Sequence, residues 1–257
     1  MIDRARGVQI YLSPHLDDAV LSCGGRIWRQ TQDGVSVQVI TVFAGAPGPN
    51  QPLSSFAQEL HARWTTPADA VSTRQVEDRR ALDVLGAQAV HWRYEDCIYR
   101  RTTEGHFAYP DEEALWGPIQ PADERLVREL RDRIAALALG PFGGLYVPLA
   151  AGGHVDHRIV RRAAEESGLS LTFYEDFPYA QDAESVKTAM DGDTWQVEKV
   201  RLSDAALRAR IAAIACYRTQ VSTFWDSPEQ MAESVRAYAD RLGAGSPFER
   251  YWSVSSA

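Results

Sequence analysis

Short apolar runs alternate with amphipathic helical patterns along most of this 257-residue chain. The runs are rich in Val, Ile, Leu and aromatic residues, which favour β-strands. Strands that alternate with helices are typical of βαβ units, in which helices cover both faces of a parallel sheet. We therefore expect an α/β fold with a Rossmann-like, mostly parallel open sheet. The predicted strands cover residues 8–12, 36–43, 88–92, 144–148, 171–175 and 195–200.

Two helical patterns separate predicted strands. Residues 70–86 carry apolar side chains at helical spacing among charged ones and end at Gly86, a residue typical of helix C-termini. Residues 122–139 repeat this pattern and end at Gly140-Pro141. Both helices lie where a crossover between parallel strands requires one.

Two longer segments, residues 44–69 and 100–121, interrupt the alternation with Gly, Pro and aromatic residues. Loops of this length inside a compact domain are usually functional or disordered. Trp116 in the second segment is the best candidate for stacking on a substrate ring, although tryptophans at helical or strand spacing are more often part of the core.

The composition limits the class of protein. With 45% hydrophobic residues the chain can bury a sizeable core, and we expect residues 1–257 to form a single domain. The three cysteines are far apart and form no C-x-x-C pair, which favours a reducing compartment. No apolar run approaches the ~18 residues that a membrane span needs. We therefore expect a cytoplasmic protein with no membrane partner.

The net charge of −8 makes a nucleic-acid partner unexpected, because binding to phosphates depends on clustered Lys and Arg. The strongest basic cluster, residues 158–162, is typical of the solvated face of a helix. A dinucleotide site is not expected either, since Cys23-Gly24-Gly25 lacks the G-x-G-x-x-G pattern.

Two clusters of His and Asp follow predicted strands. The first is Ser13-Pro14-His15-Leu16-Asp17-Asp18, and the second, about 140 residues later, is Gly153-His154-Val155-Asp156-His157. In open α/β sheets, ligands bind outside the carboxyl ends of the strands. Both clusters are therefore expected at the same edge of the sheet, where two loops can converge on one metal ion.

Two imidazoles, one carboxylate and an open position for water form a typical catalytic zinc site. In the first cluster, His15 and Asp18 can face one point, which leaves Asp17 as a general base for the water. In the second cluster, one histidine can complete the ligand set while the other donates a proton, oriented by Asp156. The residues alone do not decide which histidine binds the metal.

Other interpretations remain open at this point. An Asp at a strand end is often a helix N-cap, so each cluster alone is ambiguous, and only the two together favour a metal site. The same His and Asp residues would suit a metallophosphoesterase or nuclease, although such sites commonly hold two metals and need more ligands. A non-catalytic Rossmann-like binding module is the third alternative.

The segments SPHLDDAVLSCGG and GGHVDHRIV resemble the LmbE-like (PIG-L) zinc-dependent de-N-acetylases. That family removes acetyl groups from N-acetylglucosaminyl and related amino-sugar compounds. The resemblance implies a Zn²⁺ cofactor, with another divalent transition metal such as Fe²⁺ as an alternative. It also implies a small-molecule amino-sugar conjugate as substrate and makes a homo-oligomer an open expectation. Weaker matches occur at residues 74–86, 94–100, 174–179 and 217–220.

The resemblance also implies a role for each matching residue. The metal ligands would be His15, Asp18 and His157. Asp17 would be the general base, and His154, oriented by Asp156, would stabilise or protonate the reacting centre. Arg74 and Asp96 match positions that contact the sugar in relatives.

Three positions depart from the family pattern. Leu16 replaces a proline, and Ala19 replaces an acidic residue. Gly152 stands where some relatives carry a tyrosine that assists the tetrahedral intermediate. Such assistance would then come from zinc and His154 or from a residue elsewhere, and we expect the Gly152-Gly153 backbone to leave room for a larger substrate.

Overall fold

The computed structural model describes residues 7–48, 50–64, 70–190, 192 and 194–254 of the chain. The described strands form one sheet in the order β3-β2-β1-β4-β5-β7-β6. The first five strands in this order are parallel, and β7 is antiparallel to both of its neighbours. The strands are β1 Val8–Ser13, β2 Val37–Thr41, β3 Gln88–His91, β4 Phe142–Pro148, β5 Leu171–Tyr174, β6 Trp195–Arg201 and β7 Phe248–Val254.

Helices cover both faces of this sheet, which confirms the expected fold class. On one face α1 packs against α3 and α8, and on the other α5 packs against α6. The described helices are α1 Asp18–Gln32, α2 Ser55–Arg63, α3 Ala70–Leu85, α4 Glu112–Trp116, α5 Glu124–Ala135, α6 Val155–Glu166, α7 Ala183–Ala189, α8 Asp204–Ile214, α9 Arg218–Phe224 and α10 Pro228–Leu242.

All six predicted strands and both predicted helices are present, with small shifts at their ends. The helix predicted over 122–139 is α5 followed by a 3-10 turn over Ala136–Leu139. The sequence analysis missed β7, which pairs with β6 over its whole length. Its Glu249 is 2% exposed, and a buried carboxylate inside a strand gives no strand-like pattern.

The order of the strands reverses between β1 and β4. From β1 the chain moves outward to β2 and β3, and it then returns to place β4 on the other side of β1. The two strands are parallel, with Tyr11 opposite Tyr146, so their carboxyl ends meet at one edge. A reversal of this kind opens a crevice that commonly binds ligands. The first His/Asp cluster follows β1, and the second follows β4.

The two long segments that interrupt the alternation contain short helices. Helix α2 lies in residues 44–69, of which 49 and 65–69 fall outside the described residues, and α4 lies in residues 100–121. His61 of α2 is held against Tyr99 by a hydrogen bond of 2.6 Å to the phenol oxygen. Described residues of both segments, among them Phe56 of α2 and Leu115 of α4, line the cavity at this crevice. Among the helices of the described residues, none is long and apolar enough to cross a bilayer.

Candidate active site

A tight turn after β1 presents the first cluster. The Ser13 hydroxyl donates to the carbonyl of His15 at 2.7 Å and accepts from the Ala19 N–H at 3.0 Å. The His15 N–H donates to Asp18 Oδ2 at 2.7 Å. Asp17 stands at the N-cap of α1, but its side chain accepts no capping hydrogen bond. The Asp17 carboxylate therefore does not cap α1, in contrast to the interpretation of this cluster as a helix N-cap.

The second cluster starts α6. His154 is the N-cap residue, and its Nδ1 accepts the Asp156 N–H at 3.2 Å. Burial, followed by the neighbouring imidazoles of His15 and His157, lowers the pKa of His154 well below its ordinary value. The neutral ring therefore carries its proton on Nε2, because Nδ1 is occupied as an acceptor. The Nε2–H of His154 is therefore a candidate hydrogen-bond donor.

Three donor atoms converge between the clusters. Asp18 Oδ2 lies 3.3 Å from His15 Nδ1 and 3.3 Å from His157 Nε2. A tetrahedral zinc ion with bonds of about 2.0–2.2 Å has its ligand atoms about 3.3–3.6 Å apart. Both distances from Asp18 Oδ2 therefore suit ligands that share one zinc ion.

Hydrogen bonds to the far side of each ring support this fit. His15 Nε2 lies 3.1 Å from Asp156 Oδ2, and His157 Nδ1 lies 2.7 Å from Asp176 Oδ1. A ring N–H that donates to a carboxylate leaves the other nitrogen unprotonated and directed at the ion, as in many metal sites. Burial alone would lower the pKa of His15, but the carboxylates of Asp96, Asp156 and Asp18 raise it well above its ordinary value.

The structure corrects the role expected for Asp156. We expected its carboxylate to orient His154, but it pairs with His15 and also accepts from Arg100 at 2.6 Å and from the Cys97 N–H at 3.0 Å. Asp156 is fully buried in the first turn of α6, facing Arg100. Burial opposes ionisation, but Arg100 and His15 hold the pKa of Asp156 far below its usual range. The hydrogen bond that joins Asp156 to the ring of His154 comes from the backbone N–H of Asp156.

Sequence reasoning missed two residues of this network. Asp176 follows β5 at the same edge of the sheet. The rule that ligands bind beyond the carboxyl ends of parallel strands could therefore have identified it. It is 1% exposed and also accepts the Ala151 N–H at 3.0 Å. Arg100 gives no comparable signal, because it is 56 residues from Asp156 and follows no strand directly.

Asp17 has the electrostatic environment of a proton acceptor. Burial, and then repulsion by the carboxylate of Asp18, raises the pKa of Asp17 to about 7, against the opposing charge of Arg74. A general base is most effective when its pKa lies near the working pH. Asp18, by contrast, stays ionised, since the imidazoles of His157 and His15 outweigh its burial and lower its pKa.

Arg74 and Asp96 lie beside this centre. The guanidinium of Arg74 stacks over Trp64, 4.7 Å from the ring centre. Asp96 Oδ1 accepts the Ile98 N–H at 3.2 Å, and its Oδ2 lies 3.7 Å from His15 Nε2. Both side chains are therefore fixed by neighbours and still reach the cavity.

A cavity of about 370 Å³ contains the site. Its polar lining includes His15, Asp17, Asp18, Arg74, Asp96 and His154. Asp156 and His157 lie behind this lining. The remaining wall is mostly apolar and includes Phe56, Leu60, Ile98, Leu115, Trp116, Tyr179 and Phe224. The volume is typical of sites for small molecules.

Tyr179 occupies the place beside Gly152. A Cβ atom on Gly152 would lie 2.8 Å from the Cβ of Tyr179, which is too close, and the residue has φ of +88°. No side chain could therefore be added at 152 while Tyr179 stays in place. Beside Gly153, by contrast, a Cβ atom would meet nothing within 4 Å. The room that we expected near this glycine pair exists at Gly153 only.

Residues 10–167 match the model of a protein family, PIG-L, described as GlcNAc-PI de-N-acetylase. This span is more than half of the chain and contains both His/Asp clusters. The chain belongs to the PIG-L family. The resemblance noted in the two motifs is thereby confirmed, and N-deacetylation is the class of reaction that this PIG-L protein catalyses.

Individual relatives of this chain are also named deacetylases. The 2'-N-acetylparomamine deacetylase of Niallia circulans is 27% identical over 227 residues, which are 82% of this chain and 80% of the relative. The structure of a zinc-inhibited form of teicoplanin deacetylase Orf2 superposes with a TM-score of 0.84 at 29% identity, covering 97% of this PIG-L protein and 98% of that chain. The A40926 pseudoaglycone deacetylase Dbv21 gives 0.78 at 31% identity, with 98% and 99% covered.

Proposed function

We propose that this protein hydrolyses the N-acetyl group of an amino-sugar compound with a zinc ion held by His15, Asp18 and His157. The observation that carries the proposal is that Asp18 Oδ2 lies 3.3 Å from a ring nitrogen of His15 and 3.3 Å from one of His157, beside the buried carboxylate of Asp17, which caps no helix N–H. The relatives support an amino-sugar substrate, because their names specify 2'-N-acetylparomamine, teicoplanin and the A40926 pseudoaglycone as the molecules deacetylated.

The donor set suits zinc, since two imidazoles and one carboxylate with an open position are typical of hydrolytic zinc sites. The same set occurs in Fe²⁺ sites, which makes iron the alternative. Bound zinc supplies Lewis acidity toward the amide carbonyl and toward water.

The protein's own residues carry the proton transfers. Asp17, with its pKa near 7, accepts the proton of the attacking water. The Nε2–H of neutral His154 donates a hydrogen bond to the carbonyl oxygen as negative charge develops there. Protonated Asp17 then delivers the proton to the departing amine. Arg74 and Asp96, on the wall of the same cavity, orient the sugar hydroxyls.

Asp176 would position His157 and is expected to tune metal affinity. Asp176→Asn keeps an acceptor oxygen but removes the charge opposite the ring, so metal affinity should fall about 10–100-fold. Competition with a coloured chelator measures this affinity directly. Asp83→Asn, an exposed position of α3, is the matched control. Equal metal affinities in the two variants would show that Asp176 does not support the metal site.

The activity is tested by following acetate and primary amine released from a panel of N-acetylglucosaminyl conjugates. We expect the two products in equal amounts, with no release of phosphate ester products from phosphodiesters offered in parallel. Among the described residues, the clusters able to hold a metal all overlap at one centre, which favours a single ion. Phosphodiester cleavage with two ions per chain, and no amine release, would instead indicate the phosphoesterase alternative.

A further inference from the structure

The segment 217–220, one of the weaker matches to the family, has no role in the function proposed above. It forms the start of α9, with Tyr217 as the N-cap residue. The Tyr217 hydroxyl donates to Asp78 Oδ1 at 2.7 Å, and the Thr219 N–H donates to Glu77 Oε1 at 3.1 Å. Both carboxylates belong to α3 and are buried. The first turn of α9 is therefore fixed to α3 at two points.

This anchoring also fixes the side-chain amide of Gln220. The Thr219 hydroxyl donates to Glu77 Oε2 at 2.6 Å, because an ionised carboxylate can only accept. With its proton engaged, the Thr219 hydroxyl oxygen accepts from Gln220 Nε2 at 3.1 Å. The nitrogen of the amide is thus assigned by its partner, and Gln220 Oε1 lies on the other branch. Within the part of the chain that the structure describes, Oε1 accepts no hydrogen bond.

Gln220 lines the catalytic cavity together with Asp17 and His154, and it is 6% exposed. Gln220 and Asp17 also line a second, narrower cleft beside Leu21 and Tyr217. The amide of Gln220 and the carboxylate of Asp17 are therefore neighbours on one wall of the cavity. A buried acceptor without a partner is costly, so a ligand N–H or O–H that reached Oε1 would be stabilising.

The scissile amide of an N-acetyl group offers such a donor. Its N–H is attached to the carbonyl carbon that the water attacks, and the proton of that water goes to Asp17 in the proposed function. The amide N–H therefore comes close to the wall that carries Asp17 and Gln220. A neutral acceptor suits this place, because a further negative charge would repel the carboxylate of Asp17. An acetyl ester has no N–H to donate.

We propose that Gln220 Oε1 accepts a hydrogen bond from the N–H of the scissile amide and makes the enzyme selective for N-acetyl over O-acetyl groups. The inference rests on the proposed function and deepens it. Gln220 contacts the substrate, whereas Thr219 is a positioning residue that directs the amide of Gln220. The hydrogen bond to Oε1 orients the nitrogen while Asp17 delivers a proton to its lone pair.

Two matched substrates test this proposal with the full chain loaded with zinc. They are the methyl glycoside of N-acetylglucosamine and methyl 2-O-acetylglucoside, in which an ester oxygen replaces the N–H. Gln220→Met keeps the length of the side chain and removes the acceptor. We expect kcat/KM for the amide to fall about 10–100-fold, because its N–H is left unpaired, and kcat/KM for the ester to stay unchanged.

The control variant is Gln196→Met. It makes the same replacement at an exposed position of β6 that does not line the cavity, and neither substrate should be affected. If the unaltered chain binds the ester without hydrolysing it, the inhibition constant of the ester against the amide replaces its kcat/KM. That constant should likewise be the same in Gln220→Met and in the unaltered chain.

A pair of variants at Thr219 gives a second test that leaves Gln220 in place. Thr219→Val removes the oxygen that holds Gln220 Nε2 and should lower the amide-to-ester ratio of kcat/KM. Thr219→Ser retains the hydroxyl and should keep the ratio of the unaltered chain. A purely structural role of Thr219 would lower both rates in Thr219→Val equally and leave the ratio unchanged.

The inference is overturned, with the proposed function intact, if Gln220→Met and Thr219→Val keep the amide-to-ester selectivity of the unaltered chain. Absence of amine release from the N-acetylated glycoside by the unaltered, zinc-loaded chain would instead overturn the proposed function together with the inference.

Discussion

Replacing Asp17 with asparagine is expected to lower kcat about 10²–10⁴-fold, the usual contribution of a positioned general base. The asparagine side chain would be nearly isosteric but could not accept the proton of water. The fold should persist, because the Asp17 side chain caps no backbone N–H of α1. The metal should stay bound, since Asp17 is not among the three converging donors. Steady-state kinetics and metal content, measured on the same preparation, separate these effects.

The control for this variant lies at the other end of the same helix. Asp33 is the exposed C-cap residue of α1, and Asp33→Asn removes the same charge far from the cavity. The Asp33→Asn protein should have the same kcat as the unaltered protein. Near-normal kcat in Asp17→Asn, with metal bound, would assign the base to another residue.

Replacing His157 with alanine is expected to abolish both metal binding and activity. In the proposed site His157 supplies one of the three donor atoms, and its side chain is 1% exposed. Its loss also leaves the Asp176 carboxylate, buried and 2.7 Å from the ring nitrogen, without its partner. Buried unpaired charge is destabilising, so a lower Tm should accompany the loss of metal.

A surface histidine provides the comparison. His106→Ala removes an imidazole that is 78% exposed in a loop, and metal content, Tm and kcat should all stay unchanged. Circular dichroism and a refolding titration show whether the His157→Ala protein is folded. They separate a loss of metal and activity at the site from a loss caused by unfolding. A folded His157→Ala protein with a full complement of tightly bound metal would refute its assignment as a ligand.

The parallel part of the sheet could be predicted because each strand is a short local run of β-favouring residues between helical patterns. Strand β7 could not, because Glu249 and Arg250 interrupt its apolar pattern. The structure explains how the strand tolerates a buried carboxylate: Glu249 accepts the N–H groups of Gly25 and Arg26 at 2.8 and 2.9 Å. Such compensation comes from residues more than 220 positions away and leaves no local signal.

The meeting of the two His/Asp clusters was predictable for a topological reason. Each follows a parallel strand, and those two strands are neighbours at the reversal of strand order. The partners of the histidines were harder to predict. The two-residue spacing suggested that the Asp156 carboxylate orients His154. In the structure this carboxylate pairs with the ring of His15, 141 residues away. The direction of a side chain at the start of a helix depends on the groups packed opposite it. For Asp156 that group is Arg100, and sequence spacing does not reveal this contact.

In the proposed function, this site hydrolyses N-acetyl groups through a metal held by His15, Asp18 and His157. The most direct measurement follows acetate release from an N-acetylglucosaminyl conjugate before chelation, after removal of metal, and after one equivalent of Zn²⁺ is returned. We expect acetate release to disappear with the metal and to return with one ion per chain. Equal rates of acetate release from metal-free and metal-loaded protein would contradict it.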